Sequence, residues 1–228
     1  MKSSSYPAVT ACLAALLVAC SGSYTPVVQP SSSSAPRTEA ESRAAAIARA
    51  RADSARLPYT KADIDFMTGM IHHHAQAIEM ANLVAERTAS PEIKVLSGRI
   101  ISAQEDEIGI MTRWLEDRLQ PVPDWRAEAA GHGEHAGHGD HGTMMPGMLT
   151  PEEMAALKAA RGREFDELFL RGMIKHHEGA TEMVRQLFDT PGAGQDEMIF
   201  RFATDVNVDQ RTEINRMNRM LLDVLIDR

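Results

Sequence analysis

Aromatic residues make up only 5% of this 228-residue chain, so the core they would ordinarily fill must come from aliphatic side chains and thioethers. Cysteine is missing beyond residue 20. The two present, Cys12 and Cys20, leave the body without disulfides, thiolate metal ligands or a cysteine nucleophile. Positive charge is in deficit, with 24 Lys and Arg against 32 Asp and Glu and a net charge of −8. A nucleic-acid partner needs clustered positive charge and is not expected; cations are the natural partners. No Glu-x-x-His occurs, which removes the ligand pattern of a di-iron carboxylate bundle. No Cys-x-x-Cys-His offers covalent haem attachment, and no glycine-rich phosphate loop or serine nucleophile site is found.

What is abundant is methionine, 14 residues beside 6 Phe and 2 Trp. The one apolar run near the start, Ala8 to Ala19 after Lys2, is too short to span a bilayer and reads as a signal peptide. It ends in Leu17-Val18-Ala19-Cys20, which resembles a bacterial lipobox. That resemblance implies cleavage before Cys20, acylation of Cys20 and stable membrane anchoring by more than one chain. The expected localisation is extracytoplasmic, lipid-anchored to a bacterial membrane, periplasmic or at the cell surface. Residues 1–19 are then the signal peptide and 20–38 a Ser/Pro-rich disordered tether. An Ala/Arg-rich accessory helix is expected over 39–57, ended by Pro58.

Four helical segments follow. Thr60 and Asp63 form a capping-box pattern opening a helix to about Thr88. Ser90-Pro91 opens a second, to about Leu119. Thr150, Pro151 and Glu153 open a third region, with Gly162 a break before a long second part ending near Asp189. After Pro191, Gly192 and Gly194, a last helix is expected over about 195–226. No sustained period-two alternation appears, so the body is expected to be all-α.

An internal repeat organises these helices. At an offset of 103 residues, Asp63, Phe66, Gly69, Met70, Ile71, His73, His74, Ala77, Glu79 and Met80 recur as Asp166, Phe169, Gly172, Met173, Ile174, His176, His177, Ala180, Glu182 and Met183. A second block, at offset 106, pairs Gln104, Glu107, Ile108, Met111, Arg113 and Leu115 with Gln210, Glu213, Ile214, Met217, Arg219 and Leu221. Residues 60–120 and 150–228 therefore read as two helical hairpins, joined by a His/Met-rich flexible linker over 121–149. Neither hairpin buries its apolar stripe alone, and two packed about a pseudo-twofold axis make a four-helix bundle.

Three-and-four spacing puts the repeated Asp, Met and His residues on one inward face of each helix. Four buried imidazoles cost free energy unless each finds a partner. His73, His74, His176 and His177 are therefore candidate metal ligands, with Met70, Met80, Met173 and Met183 as soft co-ligands. Imidazole with thioether suits Cu(I) and Ag(I) and tolerates Cu(II), so copper is the expected cofactor. Glu79, Glu107, Glu182 and Glu213 are candidates to fix imidazole tautomers, or simply residues of a solvated face. The methionines alone read equally well as flexible core filler.

The stretch from Asp65 to Ala77, with Gln104 to Leu115 and Phe169 to Met183, resembles domain of unknown function family 305. The similarity covers about Thr60 to Leu222. It implies a ferritin-like four-helix fold and a place outside the cytoplasm, and the family includes CopM-type periplasmic copper-binding proteins. Lys175, where the first copy has His72, departs from the repeat, so the two sites need not be equivalent. Between the halves, Ala130 to Gly142 places His132, His135, His138 and His141 at every third position among glycines. This strap is a second, weaker capture site for Cu(II), Zn(II) or Ni(II), and its uptake should fall as pH drops through the histidine range. Two alternatives stay open: a structural or partner-binding bundle with no metal, and a ferritin-like metal or haem redox enzyme.

Overall fold

A computed structural model describes residues 38–53, 59–130 and 145–226, and among them every regular element is helical. Cys20, the expected lipidation residue, and the strap residues His132, His135, His138 and His141 lie outside the described residues. The helices are α1 Glu39–Asp53, α2 Lys61–Asn82, α3 Val84–Arg87, α4 Pro91–Asp117, α5 Trp125–Ala129, α6 Pro151–Ala159, α7 Gly162–Asp189 and α8 Glu197–Ile226.

Local chemistry sets where they begin. The Thr60 hydroxyl accepts from the Asp63 amide while the Asp63 carboxylate accepts from the Thr60 amide, and Thr150 with Glu153 repeats this reciprocal cap at α6. Ser90 caps α4 with Pro91 at its first position, where the missing N–H costs nothing. Each such cap contributes about 1 kcal/mol. Asp196 accepts from the amides of Met198 and Ile199 and so opens α8.

α2 packs against α4 and α7 against α8, giving two antiparallel hairpins that meet along the α2–α7 seam. The short α3, α5 and α6 lie against this body, and Arg49 of α1 reaches Asp117 of α4 at 2.8 Å. The core divides into two apolar clusters. One gathers Phe66, Met70, Trp114, Met183 and Leu187; the other gathers Met80, Phe165, Phe169, Met173 and Met217. Along α2 and α7 the histidine doublets fall where membership passes from one cluster to the other. The stretch expected to be a flexible linker carries ordered parts: α5, and residues 145–149, which are pinned to the seam by backbone and side-chain hydrogen bonds.

The hairpin ends are tied to each other. Asp63, wholly buried, accepts from the Gly194 amide at 2.7 Å, fastening the start of α2 to the α7–α8 turn. Its repeat mate Asp166 bonds Thr88 beside the α2–α4 turn. Arg118 and Asp196 form a buried ion pair at 2.8 Å, the guanidinium stacked on Trp114 at 4.1 Å.

Candidate functional site

All four repeated histidines have no exposed surface. Their burial follows from the spacing: each doublet sits on the stripe that α2 and α7 turn toward one another. His73 and His176 meet across the seam with ring centroids 3.8 Å apart, and their neighbours His74 and His177 stand 6.4 and 6.3 Å away. The arrangement keeps the pseudo-twofold symmetry of the repeat.

The hydrogen bonds define the tautomers. His74 Nε2 donates to Glu107 Oε2 at 2.5 Å, and His177 Nε2 donates to Glu213 Oε2 at 2.7 Å. His73 Nε2 donates to the Pro146 carbonyl at 2.9 Å. In the neutral imidazole a donating Nε2 leaves Nδ1 as a bare lone pair, and Nδ1 of His73, His74 and His177 has no hydrogen-bond partner. The His176 ring faces the His73 backbone carbonyl, but neither of its nitrogens makes a hydrogen bond of good geometry. Gln104 and Gln210, one turn before Glu107 and Glu213, are also buried with unpartnered amide atoms. Such a concentration of unsatisfied polar atoms is exceptional for a protein interior.

Electrostatics keep the central pair neutral. Burial lowers the His73 pKa to about 3, the electrostatic influence of the neighbouring His74 ring adds to this, and the Pro146 carbonyl acts in the opposite sense. Burial likewise holds His176 well below 6.5, reinforced by His73. On the α4–α8 side a groove of about 1040 Å³ is lined by Glu107, Asp205 and Asp209 among others. Asp209 is raised by burial and then by the charges of Glu107, Asp205 and Glu213, so both histidine-bound carboxylates belong to one negative region.

Not every candidate converges. Among the described residues no three His, Cys, Asp or Glu side chains come together at metal-holding distance. Met70, Met80 and Met173 are wholly buried and Met183 nearly so, but they divide between the two apolar clusters, Met70 with Met183 and Met80 with Met173. Met183 and Met80 also have a packing role: their methyl groups lie 3.5 and 3.2 Å from where a Cβ would stand on Gly69 and Gly172. The repeated glycines make room for the repeated methionines. Of the glutamates, Glu79 pairs with Lys158 at 2.7 Å and Glu182 with Arg185 on the surface, which leaves Glu107 and Glu213 as the imidazole partners. Sequence reasoning missed Pro146, whose contribution is a carbonyl, and Gln76, which holds Leu149 by both its backbone groups. A backbone acceptor leaves no residue-type signal; Gln76 sat in plain view on the helix face beside the doublet.

Fold and site define a class: a four-helix protein of two repeated hairpins enclosing a buried, carboxylate-buttressed histidine core. The chain belongs to the DUF305 family, a domain of unknown function, whose model matches residues 63–221. Solved structures of similar fold include a DUF305 protein of Streptomyces coelicolor described as secreted, at 28% identity and TM-score 0.59, covering 72% of this chain and 93% of that one. They also include CopM in its Cu(II)-bound form, at 32% identity and TM-score 0.55, covering 71% and 96%. CopM in its Cu(I)-bound form is similar at 27% identity and TM-score 0.53, covering 73% and 98%. An uncharacterized protein, L153, of Acanthamoeba polyphaga mimivirus is 42% identical over 56 residues, 25% of this chain and 37% of the relative's own length.

Proposed function

We propose that this protein binds copper in an extracytoplasmic compartment, as a buffer or carrier rather than an enzyme, anchored by lipid at Cys20. One observation carries the copper reading. The N–H of three core imidazoles is taken up by Glu107, Glu213 and the Pro146 carbonyl, which is how proteins orient histidines whose other nitrogen binds a metal. The likeness to CopM, whose solved forms hold Cu(I) and Cu(II), supports it. No three His, Cys, Asp or Glu side chains converge among the described residues, so the buried thioethers are the co-ligands of this reading, and thioethers favour Cu(I). The acidic α4–α8 groove draws cations toward Glu107, and the strap histidines add a site suited to Cu(II). The lipobox-like sequence ending at Cys20 and the secreted Streptomyces neighbour support the location; no described helix is long and apolar enough to cross a membrane.

A Cu(I) competition titration on the full chain and on H74N/H177N tests the reading, with circular dichroism reporting the fold. The double variant should lose high-affinity uptake and keep its helices; unchanged affinity in a folded variant rejects the core assignment. C20S should leave the membrane fraction. A second reading, a metal-free bundle in which the histidine–glutamate pairs are internal struts, is favoured by the same satisfied Nε2 atoms. Equilibrium dialysis without copper uptake by the wild-type chain would decide for it.

A further inference from the structure

We infer that Met145 is a ligand for a soft monovalent cation, framing with Met183 a thioether pair over Gly69, one helical turn before His73. The inference rests on the copper reading above and adds to it a residue, a place of first contact and a preference for one half.

Gly69 is the pivot. A Cβ there would stand 3.3 Å from Met145 Sδ and 3.5 Å from Met183 Cε, so two methionines from separate elements meet over one stretch of bare backbone. Gly69 precedes His73 by four residues and shares its helix face. The Pro146 carbonyl, one residue after Met145, accepts the His73 Nε2 proton, and that bond fixes the backbone beside Met145 against α2. Met145 is partly exposed, whereas Met70, Met80 and Met173 are sealed; of these methionines it is the one within reach of solvent. Uncharged thioethers bind Cu(I) and Ag(I) and leave hard divalent ions alone.

The second half supplies the comparison. Gly172 is the repeat mate of Gly69, and the groups nearest to its absent Cβ are Met80 Cε at 3.2 Å and Leu149 Cδ2 at 3.2 Å. The same pocket exists twice, once with two thioethers and once with a thioether and a leucine. Leucine and methionine are close in volume, so packing alone does not require sulfur at 145.

The test uses the full chain with Cu(I) and Ag(I) as probes. M145L turns the first pocket into a copy of the second. It should weaken Cu(I) binding by at least about tenfold, the loss that removing even a group hydrogen-bonded to a ligand produces, and lower the sulfur count in X-ray absorption. L149M turns the second pocket into a copy of the first and should add a further bound Ag(I). G69A leaves every ligand in place and pushes on both thioethers, and it too should weaken Cu(I) binding. Cu(II) uptake should be unaffected in all three. Unchanged Cu(I) affinity and sulfur count in M145L and G69A, with H74N/H177N still losing uptake, overturns the role of Met145 and leaves the copper reading standing. No Cu(I) or Ag(I) uptake by the wild-type chain overturns both.

Discussion

The two hairpins carry the same histidine box, yet one segment treats them differently. Residues 145–149 cross the α2–α7 seam once, so a symmetric surface receives an asymmetric segment. On α2, Gln76 donates to the Leu149 carbonyl at 3.0 Å and accepts from the Leu149 amide at 2.8 Å. Its mate on α7 is Gly179, where a Cβ would stand 2.0 Å from the Pro146 oxygen. Gly147 of the crossing segment has φ +75 and presses on the Lys175 carbonyl, two reasons for glycine there. Lys175, where α2 has His72, reaches Glu153 of α6 at 2.7 Å. The repeat therefore diverges at 72/175 and 76/179, where α6 and the crossing segment make a contact with one half that the other half lacks. Divergence within a repeat marks a contact made once.

The largest effect that would strain this comparison is acid sensitivity at the point where the halves remain alike. His73 titrates near 3 in the fold and His176 also lies well below 6.5. Below pH 6.5 the unfolded chain takes up protons that the folded chain refuses, so stability is lost as pH falls from about 6.5 toward about 3. The slope is on the order of 1.4 kcal/mol per pH unit for each histidine. Asp166 and Asp209, raised by burial, bind protons more readily in the fold and offset part of the loss at the acid end. Urea unfolding of the metal-free chain at pH 7, 6 and 5 measures it. H176L should remove one histidine's share of the slope with little change at pH 7. H73L should remove the same share but leave the Pro146 carbonyl without its donor, costing about 1–3 kcal/mol at neutral pH. Equal neutral-pH stability in the two variants would mean that the crossing segment does not distinguish the halves.

Next in size is G179A. A methyl at 2.0 Å from a carbonyl oxygen forces the crossing segment off the seam, at a cost of about 3 kcal/mol, against a helix-propensity gain of about 1 kcal/mol. Gly98, also helical but with nothing within 4 Å of its would-be Cβ, is the control, and G98A should stabilise by up to about 1 kcal/mol. Thermal unfolding, with hydrogen exchange at the amides of Met148 and Leu149, reads both. A neutral G179A with protected amides would break the account of the asymmetry.

Much of the fold was legible in local chemistry, because caps act within a few residues. Thr60 with Asp63, Ser90 with Pro91, and Thr150 with Glu153 open helices where their side chains dictate. Gly162, the expected break, is the first residue of α7, with φ +56. The expected single helix to Thr88 is interrupted at Leu83, which caps the one-turn α3, a packing detail that periodicity does not encode. Repeat and spacing announced the inward histidines, since a helix face is fixed by three-and-four geometry. Long-range contact was illegible: nothing at Pro146 advertises that its carbonyl would meet a residue 73 positions away. The methionines mislead for a related reason. Spacing places a thioether on a face but not at a depth along it, so Met70 and Met80, three turns apart on α2, enter different apolar clusters.

The smallest expected effect lies at the ends of the hairpins, where the aspartates of the repeat differ in what they hold. Asp63 accepts from the Thr60 amide at 2.6 Å, the Thr60 hydroxyl at 2.9 Å and the Gly194 amide at 2.7 Å. D63N replaces one acceptor oxygen with a donor and should cost about 1–2 kcal/mol. Asp166 has one oxygen without a partner, and burial raises its pKa against the opposing bond from Thr88. A carboxyl raised in the fold contributes stability at low pH that is lost as pH rises through its folded pKa, so at neutral pH its charge is a burden that asparagine removes. D166N should therefore lie within about 0.5 kcal/mol of wild type at pH 7 and lose ground to it at pH 4. Urea unfolding at the two pH values separates the cases. If D166N proved as damaging as D63N at pH 7, the hairpin ends would be equivalent, and the asymmetry of the molecule would belong to the crossing segment alone.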